Sequence, residues 1–179
     1  SMGNLPIGQG IAVTPLQMAA AYGAIANGGV WLEPHLVERV EGGKAIAPKR
    51  RRIVSEQTAK QVSKMLRGVV EEGSGAEAKG PGYRVAGKTG TAAKPDPTGG
   101  YSTSRYVASF VGFVPASRPR LVVLVTVDEP QGVIWGGTVA APVFSEIAQF
   151  ALQYLEVPPD APESKRSSAS SLVAALATP

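Results

Sequence analysis

The sequence contains no cysteine, and that absence removes several kinds of chemistry. No disulfide framework, thiol nucleophile or cysteine-ligated metal centre can exist. There is one histidine, His35, so a histidine-rich metal site is excluded. A lone histidine in a loop-like stretch reads as structural or exposed. No apolar run approaches the roughly 20 residues that a bilayer-spanning helix needs. The opening stretch "SMGNLPIGQG" lacks the basic and apolar regions of a signal peptide. The expectation is a cytosolic chain, or a targeting segment on sequence outside this one.

What is present suits a globular domain. The 179 residues are 44% hydrophobic, enough for one domain with a sizeable core. Twenty-one glycines and fifteen prolines imply many turns. The net charge is +4, much of it in the run Lys49, Arg50, Arg51, Arg52. Short charge runs are ordinarily solvated loops. No aromatics interleave with this one, so no nucleic-acid partner is expected.

The residue pattern predicts an α+β domain. Residues 14–27 read as a helix, with Thr14 as N-cap and Pro15 at the first helical position. Leu16, Ala19, Ala20 and Gly23 share a face suited to close packing. Residues 30–40 read as two short extended pieces broken at Pro34. Residues 55–73 read as a helix with a buried stripe of Val62, Met65, Leu66 and Val69. Strands are predicted at 82–91, 105–114 and 120–128. The short "PASRP" turn makes the last two an antiparallel hairpin. Residues 138–155 read as a helix with Val143, Ile147, Phe150, Ala151 and Tyr154 on one side. From 158 to 179 the Pro/Ser-rich composition predicts a disordered tail.

One stretch, "GYRVAGKTG" (82–90), fits two catalytic patterns. From Gly82 to Thr89 it is G-x-x-x-x-G-K-T, the phosphate-cradling P-loop. At its end, Lys88-Thr89-Gly90 is K-T-G, a motif of penicillin-recognising serine enzymes. A P-loop needs a strand before its first glycine and a helix after its Lys-Thr. Here a poor strand precedes, and prolines and glycines follow. "LVVLVTVD" mimics a magnesium-holding strand, but its neighbour is joined by a tight turn rather than a crossover helix. The P-loop reading is rejected on that context, and Gly82 and Gly87 become incidental to the strand.

K-T-G alone is weak, but its context fits an acyl-transfer site. An edge strand can pair with an extended peptide. Lys88 would place a cation near a serine nucleophile and a substrate carboxylate. Thr89 and Thr91 could donate hydroxyl hydrogen bonds to that carboxylate, and Gly90 permits close approach. A backbone N–H just beyond could serve an oxyanion hole.

Four stretches together resemble the C-terminal part of the transpeptidase domain of class B penicillin-binding proteins. They are residues 8–29, 83–92, 108–130 and 135–149 ("WGGTVAAPVFSEIAQ"). The chain is most similar to the division-specific peptidoglycan D,D-transpeptidase and its spore-forming relatives. The resemblance implies a transpeptidase domain over 1–157, with an antiparallel sheet flanked by helices and the motif on an edge strand. It implies catalytic roles for Lys88 and Thr91, and substrate binding by Lys88, Thr89, Gly90 and Thr91. The backbone N–H of Thr91 would complete the oxyanion hole. Gly136 and Gly137 match a loop near the cleft, with no role in chemistry. Gln9 and Thr14 match positions read as structural. No cofactor or metal is implied. Implied partners are peptidoglycan stem peptides, β-lactam antibiotics as inhibitors, the rest of the same polypeptide and a division or elongation glycosyltransferase. The implied location is the cell-wall side of the cytoplasmic membrane, with the anchor outside this chain.

The family's nucleophile motif, S-x-x-K, and its second motif, S-x-N, are both absent: no serine here has Lys three positions on or Asn two positions on. Two readings follow. In one, the nucleophile lies on sequence upstream and this chain alone forms no acyl-enzyme. In the other, the chain is a non-catalytic binding or interaction module. Under the first, strand 120–128 would lack a neighbour and leave an apolar edge, so the chain alone should be poorly stable or should associate.

Overall fold

The computed structural model describes residues 10–43, 45 and 47–161. Helix α1 spans Pro15–Ala26. It starts in a capping box. Thr14 Oγ1 accepts from the Gln17 N–H, and Gln17 Oε1 accepts from the Thr14 N–H, which satisfies two otherwise orphaned donors. Strand β1 (Val30–Leu32) pairs antiparallel with β2 (Arg50–Arg52). The basic run is therefore solvent-exposed as expected, but it is a strand rather than a loop. Arg52 ties it down by donating to the Gly28 and Val54 carbonyls.

Helix α2 (Glu56–Glu71) is capped by Ser55, whose hydroxyl accepts from the Thr58 N–H at 3.0 Å. Its expected stripe is displaced. Met65 is 70% exposed, while Ala59 and Val70 are the buried positions. Val62, Leu66 and Val69 are half-buried.

Strands β3 (Ala86–Pro95), β4 (Tyr101–Val114) and β5 (Leu121–Asp128) form one antiparallel sheet in the order β3-β4-β5. The hairpin expectation holds and β4 starts four residues earlier than predicted, but the first strand is displaced: residues 82–85 lie outside it and it runs on to Pro95. No helix follows Thr89, so the chain has no P-loop geometry there. Both β3 and β5 are edges of this sheet. Opposed residues across an antiparallel ladder point to the same face. Thr89, Phe110 and Val125 therefore share one face, and Lys88, Val111 and Leu124 the other.

On the first face lies α4 (Ala141–Tyr154), preceded by the single turn α3 (Gly136–Val139). Phe144 packs edge-on against Phe110 with ring centroids 4.8 Å apart. Ala141, Ala148 and Leu152 complete the buried stripe. The side named from the sequence is the outward one: Val143, Ile147, Phe150 and Tyr154 are exposed and Ala151 is half-buried. Both stripes are apolar at helical spacing, and only the sheet decides which is covered. Helix α1 lies on the opposite face, where Gly23 approaches the Val122 side chain.

Contacts with the body of the domain continue past 157. Val157 is buried, and Tyr83 donates to its carbonyl at 2.6 Å. Asp160 accepts from the Arg84 N–H and the Ser117 hydroxyl. The N–H groups of Asp160 and Ala161 donate to the Gly82 carbonyl. Residues 158–161 are thus held against the domain, and 162–179 lie outside the described residues.

Candidate active-site wall

The K-T-G motif sits in the middle of β3, on the sheet's free edge. Lys88 is exposed, and Thr89, Gly90 and Thr91 are half-buried. Alternation sends the Lys88 and Thr89 side chains to opposite faces. The Lys88 side chain nevertheless curls round the edge, its Nζ donating to the Thr89 carbonyl at 3.0 Å and to Thr89 Oγ1 at 3.2 Å. That contact fixes the strand's orientation. The Thr89 carbonyl points away from β4, so its N–H does too, and two residues on the Thr91 N–H and carbonyl share that direction. The wall therefore offers an ammonium and a strand edge whose Thr89 and Thr91 peptide groups face outward.

The Thr91 hydroxyl turns toward α3, and the Thr89 hydroxyl toward the connection that follows α2. Thr91 Oγ1 accepts from the Gly136 N–H at 3.1 Å. Thr89 Oγ1 lies 2.9 Å from Ser74 Oγ. Together with Glu77, Trp135, Gly136, Gly137 and Thr138 these residues line a concave site of about 370 Å³. Lys88 and Gly90 do not line it; they belong to the edge and the other face. A Cβ on Gly90 would meet Ser109 Oγ at 2.4 Å, so the glycine leaves the space that the Ser109 hydroxyl fills.

Several members of this wall escaped sequence reading. Ser74 lies between the end of α2 and β3, in a stretch with no motif of its own. Gly136 and Gly137 were given no chemical role, yet they let the turn press onto the strand. A Cβ on Gly136 would meet the Gly90 and Ser109 carbonyl oxygens at 2.3 Å each, and one on Gly137 would meet the Ser74 carbonyl oxygen at 2.3 Å. Gly87 is likewise not incidental, since a Cβ there would strike the Phe110 ring at 2.5 Å. The repeated glycines around an aromatic strand were the available signal. Trp135 is 63% exposed and lines the concave site, not the core.

The carboxylates Asp128 and Glu129 are structural. Lys94 bridges them at 2.6 and 2.8 Å. Hydrogen bonds to Asp128 and then Glu129 hold the Lys94 proton on and raise its pKa above the ordinary 10.5. His35 is exposed, with Nδ1 3.1 Å from the Glu33 carbonyl oxygen. No group of three His, Asp or Glu side chains among the described residues is placed to hold a metal.

Comparison with known proteins gives this wall its setting. The family model "Penicillin binding protein transpeptidase domain" matches residues 2–149. Stage V sporulation protein D of Bacillus subtilis (strain 168) is 44% identical over 162 residues, covering 85% of this chain and 25% of that protein. The probable peptidoglycan D,D-transpeptidase PenA of Neisseria gonorrhoeae is 39% identical over 161 residues, covering 89% of this chain and 27% of that protein. The crystal structure of penicillin-binding protein 3 from Mycobacterium tuberculosis, complexed with ampicillin, superposes with a TM-score of 0.80 at 38% identity. That match covers 92% of this chain and 40% of the other. The chain thus spans about a quarter of the length of the curated relatives it matches.

Proposed function

Because the chain belongs to the penicillin-binding protein transpeptidase family and has its fold, we propose that it forms one wall of a serine D,D-transpeptidase site that cross-links peptidoglycan. The observation that carries this reading is the edge of β3. There an ammonium and the outward-facing peptide groups of Thr89 and Thr91 sit together on the free edge of the sheet. A stem peptide would add to that edge by backbone pairing. Lys88 would act beside the nucleophile, and the Thr91 N–H would donate to the oxyanion of the tetrahedral intermediate. Thr89 and Thr91 hydroxyls would receive the substrate or β-lactam carboxylate, with Gly90 permitting its approach.

The nucleophile and its activating lysine, S-x-x-K, and the S-x-N motif would come from upstream sequence of the same polypeptide. Attack by that serine on the penultimate D-alanine carbonyl would form an acyl-enzyme and release the terminal D-alanine. An amine of a second stem peptide would then take the acyl group and regenerate the serine. A glycosyltransferase partner in division or elongation fits this activity. No helix among the described residues is long and apolar enough to cross a membrane, so membrane anchoring is proposed for other sequence.

Intact mass after incubation with ampicillin tests the reading. A polypeptide that extends this chain upstream through S-x-x-K and S-x-N is expected to gain one β-lactam per molecule. These 179 residues alone are expected to gain none. Lys88→Ala in the extended polypeptide is expected to slow adduct formation by about 10²-fold or more. An adduct on the 179 residues would refute the assignment of the nucleophile upstream. An unrelated domain upstream would favour the binding module.

A further inference from the structure

We infer that Ser74 is a positioning residue that points the Thr89 hydroxyl proton at a ligand carboxylate. This rests on the acyl-transfer reading above and deepens it.

A threonine hydroxyl has one proton to donate and two lone pairs to accept with. Two groups approach Thr89 Oγ1: Lys88 Nζ at 3.2 Å and Ser74 Oγ at 2.9 Å. An ammonium can only donate, so Lys88 occupies one lone pair. The Ser74–Thr89 pair can be arranged either way. If Thr89 donates to Ser74, its proton is spent inside the protein and it offers a ligand nothing to accept from. If Ser74 donates to Thr89, both lone pairs are filled, and the remaining proton is free for an acceptor in the cleft. An anionic carboxylate selects the second arrangement. Donation from both neighbours also polarises the Thr89 O–H, and hydrogen bonds linked in this way strengthen one another.

Ser74 is held where this requires. The next residue, Gly75, donates its N–H to the Val69 carbonyl at 3.0 Å, anchoring the loop to the end of α2. From the other side Gly137 presses on the Ser74 carbonyl, with no room for a Cβ. Thr91 is arranged by the same logic. Its hydroxyl accepts from the Gly136 N–H, which leaves its proton for the ligand. The two hydroxyls therefore form a pair of donors, each backed by a neighbour that supplies it with a hydrogen bond.

The test uses the polypeptide extended upstream through the nucleophile, with ampicillin and ampicillin methyl ester as probes. Acylation is followed over ligand concentration to separate half-saturation from the limiting rate constant. Ser74→Ala is expected to raise half-saturation for ampicillin by about 3- to 10-fold, the range for one ordinary hydrogen bond lost behind the Thr89 donor. The limiting rate constant should change little. For the methyl ester, which has no anionic carboxylate, the same substitution should have almost no effect. Ser74→Thr should restore the wild-type value. In a Thr89→Val background the Ser74 effect should vanish. Should Ser74→Ala fold poorly, Ser74→Cys, close in size and a weak donor, takes its place. Equal weakening for acid and ester, or no weakening for either, overturns the inference and leaves the acyl-transfer reading intact. A wild type that forms no adduct overturns that reading, and this inference with it.

Discussion

At the scale of single residues, Lys94 shows how a charge on the strand that carries the K-T-G motif can hold other strands in place. It stands on β3 and reaches over to Asp128 at the end of β5 and to Glu129 beyond it. Its pKa is raised by those hydrogen bonds. A raised amine pKa contributes stability that is complete below the unfolded value near 10.5 and is lost as pH rises through the folded value. The melting temperature of the wild type should therefore exceed that of Lys94→Gln by a constant margin near neutral pH. The margin should close above about pH 10.5. Asp96 works with the opposite sign. Hydrogen bonds from Thr98 lower its pKa below the ordinary 3.8, so its contribution is present above that value and fades as pH falls.

At the scale of elements, α4 poses the sharpest question. Its two apolar stripes cannot be ranked by periodicity, because each repeats at i, i+3 and i+4. The sheet face settles the matter: Phe110 projects from β4 and its ring receives Phe144, which is fully buried. Phe144→Ala should therefore cost about 3–5 kcal/mol in a denaturant titration of the polypeptide extended upstream, the range for deleting a buried aromatic. Phe150 is 72% exposed and stacks only on Tyr154. Phe150→Ser should stay within about 0.5 kcal/mol of wild type, as exposed substitutions do. Equal losses at the two positions would mean that the buried face is assigned wrongly.

At the scale of the whole molecule, unpaired surfaces dominate. Strand β5 is an edge of the three-stranded sheet, and its residues Leu121–Val125 are apolar and half-buried. Leu16 on α1 and the outer stripe of α4 add further exposed apolar area. A long apolar edge invites pairing with another strand. These 179 residues in isolation are therefore expected to elute larger than a monomer or to unfold without a sharp transition. Extension upstream through the nucleophile should yield a cooperative melt. Sedimentation and thermal unfolding of both polypeptides check this, and a cooperative monomeric melt of the short one would contradict it.

The sequence by itself determined the helix cap at Thr14, the β4–β5 hairpin and the motif Lys88–Thr91, with the P-loop alternative rejected. These depend on neighbours within a few positions, where backbone hydrogen bonding and turn geometry act directly. It also carried the family, because four separated stretches occur in the right order. Only the tertiary structure decided which stripe of α4 and of α2 is buried, that Arg50–Arg52 is a strand, and that Asp160 docks on Arg84 and Ser117. Only the tertiary structure brought Ser74, Gly136 and Gly137 to Thr89 and Thr91. Such contacts join residues 15 to 76 positions apart, and a local pattern holds no record of which distant surface will close over it.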